Sequence, residues 1–309
     1  MISVIIPTYN RPHLLNAALQ SVHRQAYQDT EIIVINDGGC RVEDVTSSWT
    51  GRLRIKLYNL PGRSGASHAR NVGVEHAGGK YIAFLDDDDL FLKNHLQAAH
   101  HLLEREHLQF FYTGAYVAGT RIARIEDIET DNCRRKFFSY DRQFLDVANF
   151  IHTGSVVTSN FRRTAARFDD RLSHCEDWDM WLRLVRDLKF SVGCIDTIET
   201  VYHQIADTEG LVSTGQAVVP SLFSTARKRI YTRWAAGCDL VAEYRQCLLF
   251  FDAECDRLVA AGHKIKLGAF ERSLKLLHRN FVARRAPPFA EIRTSISEGT
   301  SGTCLWAAG

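Results

Sequence analysis

The sequence predicts an α/β fold: a mostly parallel sheet flanked by helices, followed by a C-terminal helical extension. Three observations carry this. Short apolar runs alternate with helix-patterned segments through the first ninety residues, two of those runs end in acidic turns, and the pattern becomes helical beyond about residue 215. Such alternation needs crossover connections, which put helices on the faces of a parallel sheet and ligands at the carboxyl ends of its strands.

Taken in order, residues 2–6 (Ile-Ser-Val-Ile-Ile) form a compact apolar run broken by Pro7, and Leu14, Leu15, Ala18, Leu19 and Val22 then recur at helical spacing. Residues 31–35 and the alternating 53–58 read as further strands. After Gly62-Arg63-Ser64-Gly65 a helix is expected over 66–76, closed by Gly78-Gly79, and 81–85 is a buried strand that stops at four consecutive aspartates. A helix follows over 92–105 and an aromatic, β-branched strand over 109–120, whereas 121–150 is polar and without period. Trp178, Trp181, Leu182, Val185 and Leu188 recur at helix spacing, strands resume at 190–195 and 200–202, and 219–282 reads as helix. The expected division is a catalytic domain over 1–215, a helical extension over 216–285 and a flexible tail over 286–309. The apolar positions of the extension need a partner surface, either the catalytic domain or a second copy in a homodimer.

The 309 residues carry 38 Lys+Arg against 36 Asp+Glu with 45% hydrophobic content, which excludes disorder as the main state and disfavours a nucleic-acid partner. No basic leader precedes the first apolar run, so the chain is expected to start at Met1 without a signal peptide. Residues 247–251, the most apolar later stretch, fall far short of the roughly 20 needed to cross a bilayer. The eight cysteines show no CxxC pair and no ligand spacing, and are expected to be reduced, buried small hydrophobes of a cytoplasmic protein.

The run Asp86-Asp87-Asp88-Asp89 follows an apolar strand directly, so at least two carboxylates project into one crevice. Like charges so close repel unless a cation sits among them, and a hard, oxygen-loving ion such as Mg²⁺ or Mn²⁺ is the natural occupant. The alternative is a solvated turn in which Asp89 caps the next helix. Asp37, in Asn36-Asp37-Gly38-Gly39, is either a turn residue or a second acidic loop facing the same crevice, and two such loops together suggest a nucleotide site.

Val4-Ile-Ile-Pro-Thr-Tyr-Asn-Arg11, Glu31-Ile-Ile-Val-Ile-Asn-Asp-Gly38, Ala69-Arg-Asn-Val-Gly73, Tyr81-Ile-Ala-Phe-Leu-Asp-Asp-Asp-Asp89 and Glu176-Asp-Trp-Asp-Met-Trp-Leu-Arg183 stand in the order and spacing of one known pattern. Over residues 1–205 the chain strongly resembles inverting glycosyltransferases of family 2, which have the GT-A fold, a Rossmann-like nucleotide-binding architecture. The resemblance implies a nucleotide-diphosphate-sugar donor, a UDP-sugar by default, with Mn²⁺ or Mg²⁺ as cofactor. It implies a small-molecule, glycan or lipid-linked acceptor, in the cytoplasm or peripherally at the membrane. Carried over by position, Pro7, Thr8 and Tyr9 resemble the loop that holds the nucleobase, Asp37 the residue that hydrogen-bonds it, and Arg70 a support of that pocket. Asp86 and Asp88 resemble the two acids of the D-x-D motif, Asp86 on ribose or metal and Asp88 as principal metal ligand. Asp87 is the replaceable middle residue beside the nucleotide.

Asp177 matches the family's catalytic base, with Glu176 and Asp179 as its neighbours on a helix N-terminus that acidic residues also suit structurally. His203 stands where relatives carry a histidine that reaches the metal or the diphosphate. Arg63 is a candidate phosphate ligand, and Thr153-Gly154-Ser155 resembles the segment beside the acceptor pocket. Two other classes fit the sequence less well. A binding protein that never turns its ligand over is disfavoured because Asp88 and Asp177 are both intact. A nucleotidyltransferase is disfavoured because residues 4–10 contain no glycine or lysine to grip a triphosphate.

Overall fold

The computed structural model describes residues 1–205, 218–265 and 268–297. The expected boundary at 215/216 and residues 298–309 of the expected tail lie outside the described residues. Two compact units are formed, residues 1–140 with 151–205, and residues 141–150 with the chain beyond 205.

The first unit is built on strands β1 (Ile2–Thr8), β2 (Thr30–Asn36), β3 (Ile55–Asn59), β4 (Tyr81–Phe84), β5 (Leu90–Phe91), β6 (Phe110–Ala118), β7 (Arg134–Lys136), β8 (Val156–Ser159) and β9 (Val192–His203), in the order β3-β2-β1-β4-β8-β6-β9-β5, with β7 on β6. The ladders β1–β2, β1–β4, β2–β3 and β6–β9 are parallel, and the shorter ones made by β5, β7 and β8 are antiparallel. β1 and β2 are buried at every position, as expected of Ile/Val-rich strands covered on both faces.

Helix α1 (Pro12–His23) starts on a proline, whose missing N–H costs nothing there, and buries Leu14, Leu15, Ala18, Leu19 and Val22. Each such leucine or valine contributes about 1.5–3 kcal/mol. The other helices of this unit are α2 (Glu43–Ser47), α3 (Ala66–His76), α4 (His95–Arg105) and, after the second unit's α5 (Arg142–Leu145), α6 (Glu176–Leu182). α3 packs so tightly on β1 that a Cβ on Gly73 would lie 2.4 Å from Ile5.

β9 is one strand where the sequence pattern suggests two. Its register against β6 shifts on both sides of Gly114, and the exposed Asp196 and Thr197 interrupt the apolar pattern there. The cysteines also differ from expectation, for among the described residues Cys247 is buried while Cys40 and Cys238 are exposed.

The second unit has its own core. Helices α7 (Leu222–Arg233), α8 (Asp239–Ala260) and α9 (Ala269–Val282) pack with α5, whose Phe144 meets Phe150 and Phe281 at ring-centre distances of 5.6 and 5.3 Å. Residues 141–150, which show no period in the sequence, thus belong to this core, and a buried Arg227–Asp252 pair at 2.7 Å ties α7 to α8. Where a flexible tail was expected from residue 286, a further helix, α10 (Phe289–Ser297), forms because Ile292 and Ile296 are buried, at 0% and 2% exposure.

Gly38 closes the turn after β2 with φ +73°, and a Cβ there would lie 2.4 Å from the Gly62 carbonyl carbon. Gly38→Ala therefore combines a left-handed backbone with a main-chain clash and should lower stability by about 1–3 kcal/mol. A denaturant midpoint equal to wild type would contradict this.

Candidate active site

β1, β2 and β4 lie side by side and run the same way, so their carboxyl ends bring Thr8, Asp37 and the Asp86–Asp89 run to one edge of the sheet. Asp37 is buried and accepts hydrogen bonds from the backbone N–H groups of Ser64 (2.7 Å) and Gly65 (2.8 Å), so its carboxylate orders the loop that leads into α3. The Thr8 hydroxyl donates to Asp87 Oδ2 at 2.7 Å, and the Arg63 guanidinium lies 4.6 Å from the centre of the Tyr9 ring. Asp87 is only 5% exposed and also meets Arg11 at 3.3 Å, so the replaceable middle residue of the sequence pattern is here an inward-facing group.

Arg70, on α3, is the hub. One arm donates to Asp86 Oδ1 at 2.7 Å and the other to Glu176 Oε1 at 2.8 Å, with Phe168 beneath the guanidinium. It thereby couples the aspartate loop to the start of α6 rather than contributing an arm to the Asp37 loop. α6 is anchored by Trp178 and Trp181, both fully buried, the latter 5.2 Å from the Phe110 ring. Cys175, immediately before α6, adopts φ +57°, an unusual conformation for a side-chain-bearing residue that turns the chain into the helix. Asp177 accepts from Thr153 Oγ1 at 3.0 Å and from the Trp178 N–H at 2.7 Å. Its neighbours Glu176 and Asp179 are committed to arginines, Asp179 being fully buried and 2.9 Å from Arg183 Nε.

Asp89 caps no helix. It is buried, accepts from the His203 backbone N–H at 2.9 Å and lies 3.2 Å from His152 Nε2. His203 receives the Ile122 N–H on Nε2 at 3.0 Å, and its Nδ1 lies 2.5 Å from the Asp88 carbonyl oxygen. A neutral ring protonated on Nδ1 satisfies both contacts, and burial, followed by the nearby Arg121, pushes its pKa down to about 4. His203, which the resemblance suggested as a metal ligand, has its Nε2 engaged by the Ile122 N–H and its Nδ1 by the Asp88 carbonyl. Burial likewise keeps His152 neutral, with a pKa of about 4.

The acids respond differently to this environment. Burial alone would raise Asp86, but the charge and hydrogen bond of Arg70 hold it below the usual carboxylate range. Burial, with Asp88 next to it, pushes Asp87 up to about 6, and burial together with Asp89 and Asp86 pushes Asp88 up to about 7. Both carboxyls therefore keep protons in the folded chain at pH values where the unfolded chain, near 3.8, has lost them. Their contribution to stability is complete below about pH 4 and disappears as pH rises toward 7. The metal-free protein is expected to melt at lower temperature at pH 7.5 than at pH 5, with a smaller difference in Asp87→Asn/Asp88→Asn. An unchanged difference in that variant would contradict the assignment.

Among the described residues no three His, Cys, Asp or Glu side chains converge into a metal cage. The donor set at Asp86 and Asp88 is of hard carboxylate oxygens whose mutual repulsion is incompletely neutralised. That fits a Mg²⁺ or Mn²⁺ held by one or two carboxylates and completed by phosphate and water. Sequence reasoning assigned no role to Arg11, His152 or Arg121. Arg11 was visible as a cation directly after the β1 loop, whereas His152 and Arg121 reach the cluster only through the long-range pairing of β6, β8 and β9.

An open α/β sheet with an acid cluster at its strand ends, tied through a buried arginine to a second acid pair, defines a GT-A-type transferase. Residues 3–166 match the family model for Glycosyl transferase family 2, and the chain belongs to that family. The Bacillus subtilis glycosyltransferase YwdF is 31% identical over 207 residues, 64% of this chain and 73% of its own length. A Rickettsia conorii glycosyltransferase, RC0461, is also 31% identical over 63% of this chain, which spans only 31% of that longer protein. The Escherichia coli UDP-Glc:alpha-D-GlcNAc-diphosphoundecaprenol beta-1,3-glucosyltransferase WfgD is 27% identical over 63% of this chain and 74% of its own length. Among solved structures, S. aureus TarS 1–349 with UDP-GlcNAc is 15% identical with TM-score 0.62, over 98% of this chain and 93% of that one. The mannosyltransferase PcManGT from Pyrobaculum calidifontis, with GDP-Man and Mn²⁺, is 15% identical with TM-score 0.55, over 96% and 86%. At these identities the solved structures establish the fold.

Proposed function

We propose that the chain transfers a sugar from a nucleoside-diphosphate donor, a UDP-sugar first, to an acceptor hydroxyl with inversion at the anomeric carbon, the first compact unit, residues 1–140 with 151–205, carrying the catalytic site. The observation that carries this reading is the Asp86–Arg70–Glu176 link, which joins the donor-side acids rigidly to the helix that presents Asp177. Asp177 is the general base: it takes the acceptor proton as the hydroxyl attacks the face of the sugar opposite the leaving diphosphate. Thr153 holds one carboxylate oxygen and so fixes the direction from which Asp177 meets the acceptor. Asp37, with the Ser64–Gly65 loop it orders, and Tyr9, with Arg63 against its ring, line the nucleoside side, and Asp86 faces the ribose or the metal.

Asp86 and Asp88 would hold Mn²⁺ or Mg²⁺, which when bound stabilises the charge that develops on the departing diphosphate. His203 and Arg121 hold the Asp88 carbonyl, which keeps the D-x-D loop in register. The names of the relatives support a nucleotide-sugar donor: WfgD acts on UDP-Glc, and the TarS and PcManGT structures hold UDP-GlcNAc and GDP-Man. The diphosphoundecaprenol-linked acceptor in the name of WfgD also favours a lipid-linked glycan as acceptor here. No helix among the described residues is long and apolar enough to cross a membrane.

A panel of UDP- and GDP-sugars with Mn²⁺ and lipid-linked or free glycan acceptors tests this, read as acceptor-dependent release of nucleoside diphosphate and as the anomeric configuration of the product. Transfer with inversion is expected. Transfer with retention, or no turnover with any pair, would overturn the reading.

A further inference from the structure

We propose that Arg11 is an exchangeable cation: it pairs with Asp87 and Asp88, yields Asp88 to an arriving divalent ion, and then turns its guanidinium to the donor's diphosphate. This rests on reading Asp88 as a metal ligand. Arg11 stands at the start of α1, directly after the β1 loop, with Nη1 3.3 Å from Asp87 Oδ1 and 3.1 Å from Asp88 Oδ2. It is not built in like Arg70. Its side chain is 39% exposed against 5% for Arg70, whose two arms are each locked to a carboxylate.

The partners are also unequal. Asp87 keeps the Thr8 hydroxyl when Arg11 leaves, whereas Arg11 is the side-chain partner of the Asp88 carboxylate. A divalent ion and Arg11 therefore compete for the same carboxylate. A compact divalent ion carries twice the charge of a guanidinium and would take Asp88 from it. The freed guanidinium would remain tethered beside the cluster, where the oxygens of a donor diphosphate would suit its planar fork. Sharing one cation between Asp87, Asp88 and the ligand keeps these two acids, which Arg70 does not reach, from standing without a counter-charge, and it links metal entry to diphosphate capture.

The test is Arg11→Gln in the full chain, with Mn²⁺ binding followed by electron paramagnetic resonance without nucleotide, and binding of UDP, with GDP as second probe, followed by calorimetry with saturating Mn²⁺. Loss of the competitor should tighten Mn²⁺ binding about three- to ten-fold, while loss of the charged donor should weaken nucleoside-diphosphate binding about ten-fold or more. Opposite signs in one variant mark the exchange, since a merely structural residue would weaken both. Arg11→Lys, which keeps the charge, should leave Mn²⁺ binding within about two-fold of wild type. Mn²⁺ binding that is unchanged or weaker in Arg11→Gln, or nucleotide binding left intact, overturns the proposal. Asp88→Asn separates this from the underlying assignment: if it leaves Mn²⁺ binding unaltered, Asp88 is not the ligand and the function proposed above loses its metal site.

Discussion

Replacing Asp177 by Asn is expected to lower turnover by roughly 10²–10⁴ while the nucleotide-sugar dissociation constant stays within about three-fold. A base that touches only the acceptor proton acts in the transition state and contributes little to donor affinity. The substitution is close to silent structurally, because Asn retains an oxygen to accept from the Trp178 N–H, and its amide can donate to the Thr153 hydroxyl that Asp177 now accepts from. Were Asp177 only a helix-start residue, the variant would lose about 1 kcal/mol or less of stability and little rate. The neighbouring carboxylates are poor substitutes for it: Glu176 is held by Arg70 and Asp179 by Arg183. Near-normal turnover in steady-state assays with saturating acceptor would remove Asp177 from the mechanism.

Arg70→Met should destabilise the first unit by about 3–5 kcal/mol, because it strands the carboxylates of Asp86 and Glu176 without their shared cation. Glu176 is already pushed upward by burial, with Asp177 adding to it and Arg70 opposing, so removal of the arginine leaves a buried acid that must take up a proton. Arg70→Lys keeps the charge but has one ammonium for two partners, and should fall between wild type and Met. Adding Glu176→Gln to Arg70→Met should restore part of the stability, since a neutral amide no longer needs the cation. Equilibrium denaturation of the four proteins reads this directly, and an Arg70→Met midpoint equal to wild type would show that the bridge does not hold the two loops together.

Much of the fold was legible because its signals are local. The Ile/Val runs of β1, β2 and β4, the helix spacing of α1 and α3 and the acidic strand ends are each contained in a dozen residues. The elements that escaped are those defined by distant partners. β7, the two-residue β5 and the unbroken β9 exist because β6 and its neighbours offer them edges, and residues 141–150 gain order only from the helices they pack among in the second unit.

The site divides the same way. The motif positions Asp37, Asp86, Asp88 and Asp177 could be read off the chain, but their connections could not. That Thr8 faces Asp87, that Arg70 holds Asp86 and also reaches Glu176, 106 residues further along the chain, and that His203 holds the Asp88 backbone are consequences of three-dimensional pairing. Asp87 stands at the middle of the D-x-D pattern, the position that the resemblance marks as replaceable, and its inward orientation depends on Thr8 and Arg11 across the fold.

The most direct measurement is calorimetric titration of UDP and GDP into the wild-type protein and Asp88→Asn, each in Mn²⁺ and in EDTA. Wild type should bind at least one of the two diphosphates about ten-fold or more tightly with Mn²⁺ than in EDTA, and Asp88→Asn should lose that difference while keeping the same far-ultraviolet circular dichroism. Binding that is indifferent to the metal in wild type, or a metal effect that survives in Asp88→Asn, would contradict a donor site built on the Asp86–Asp88 pair.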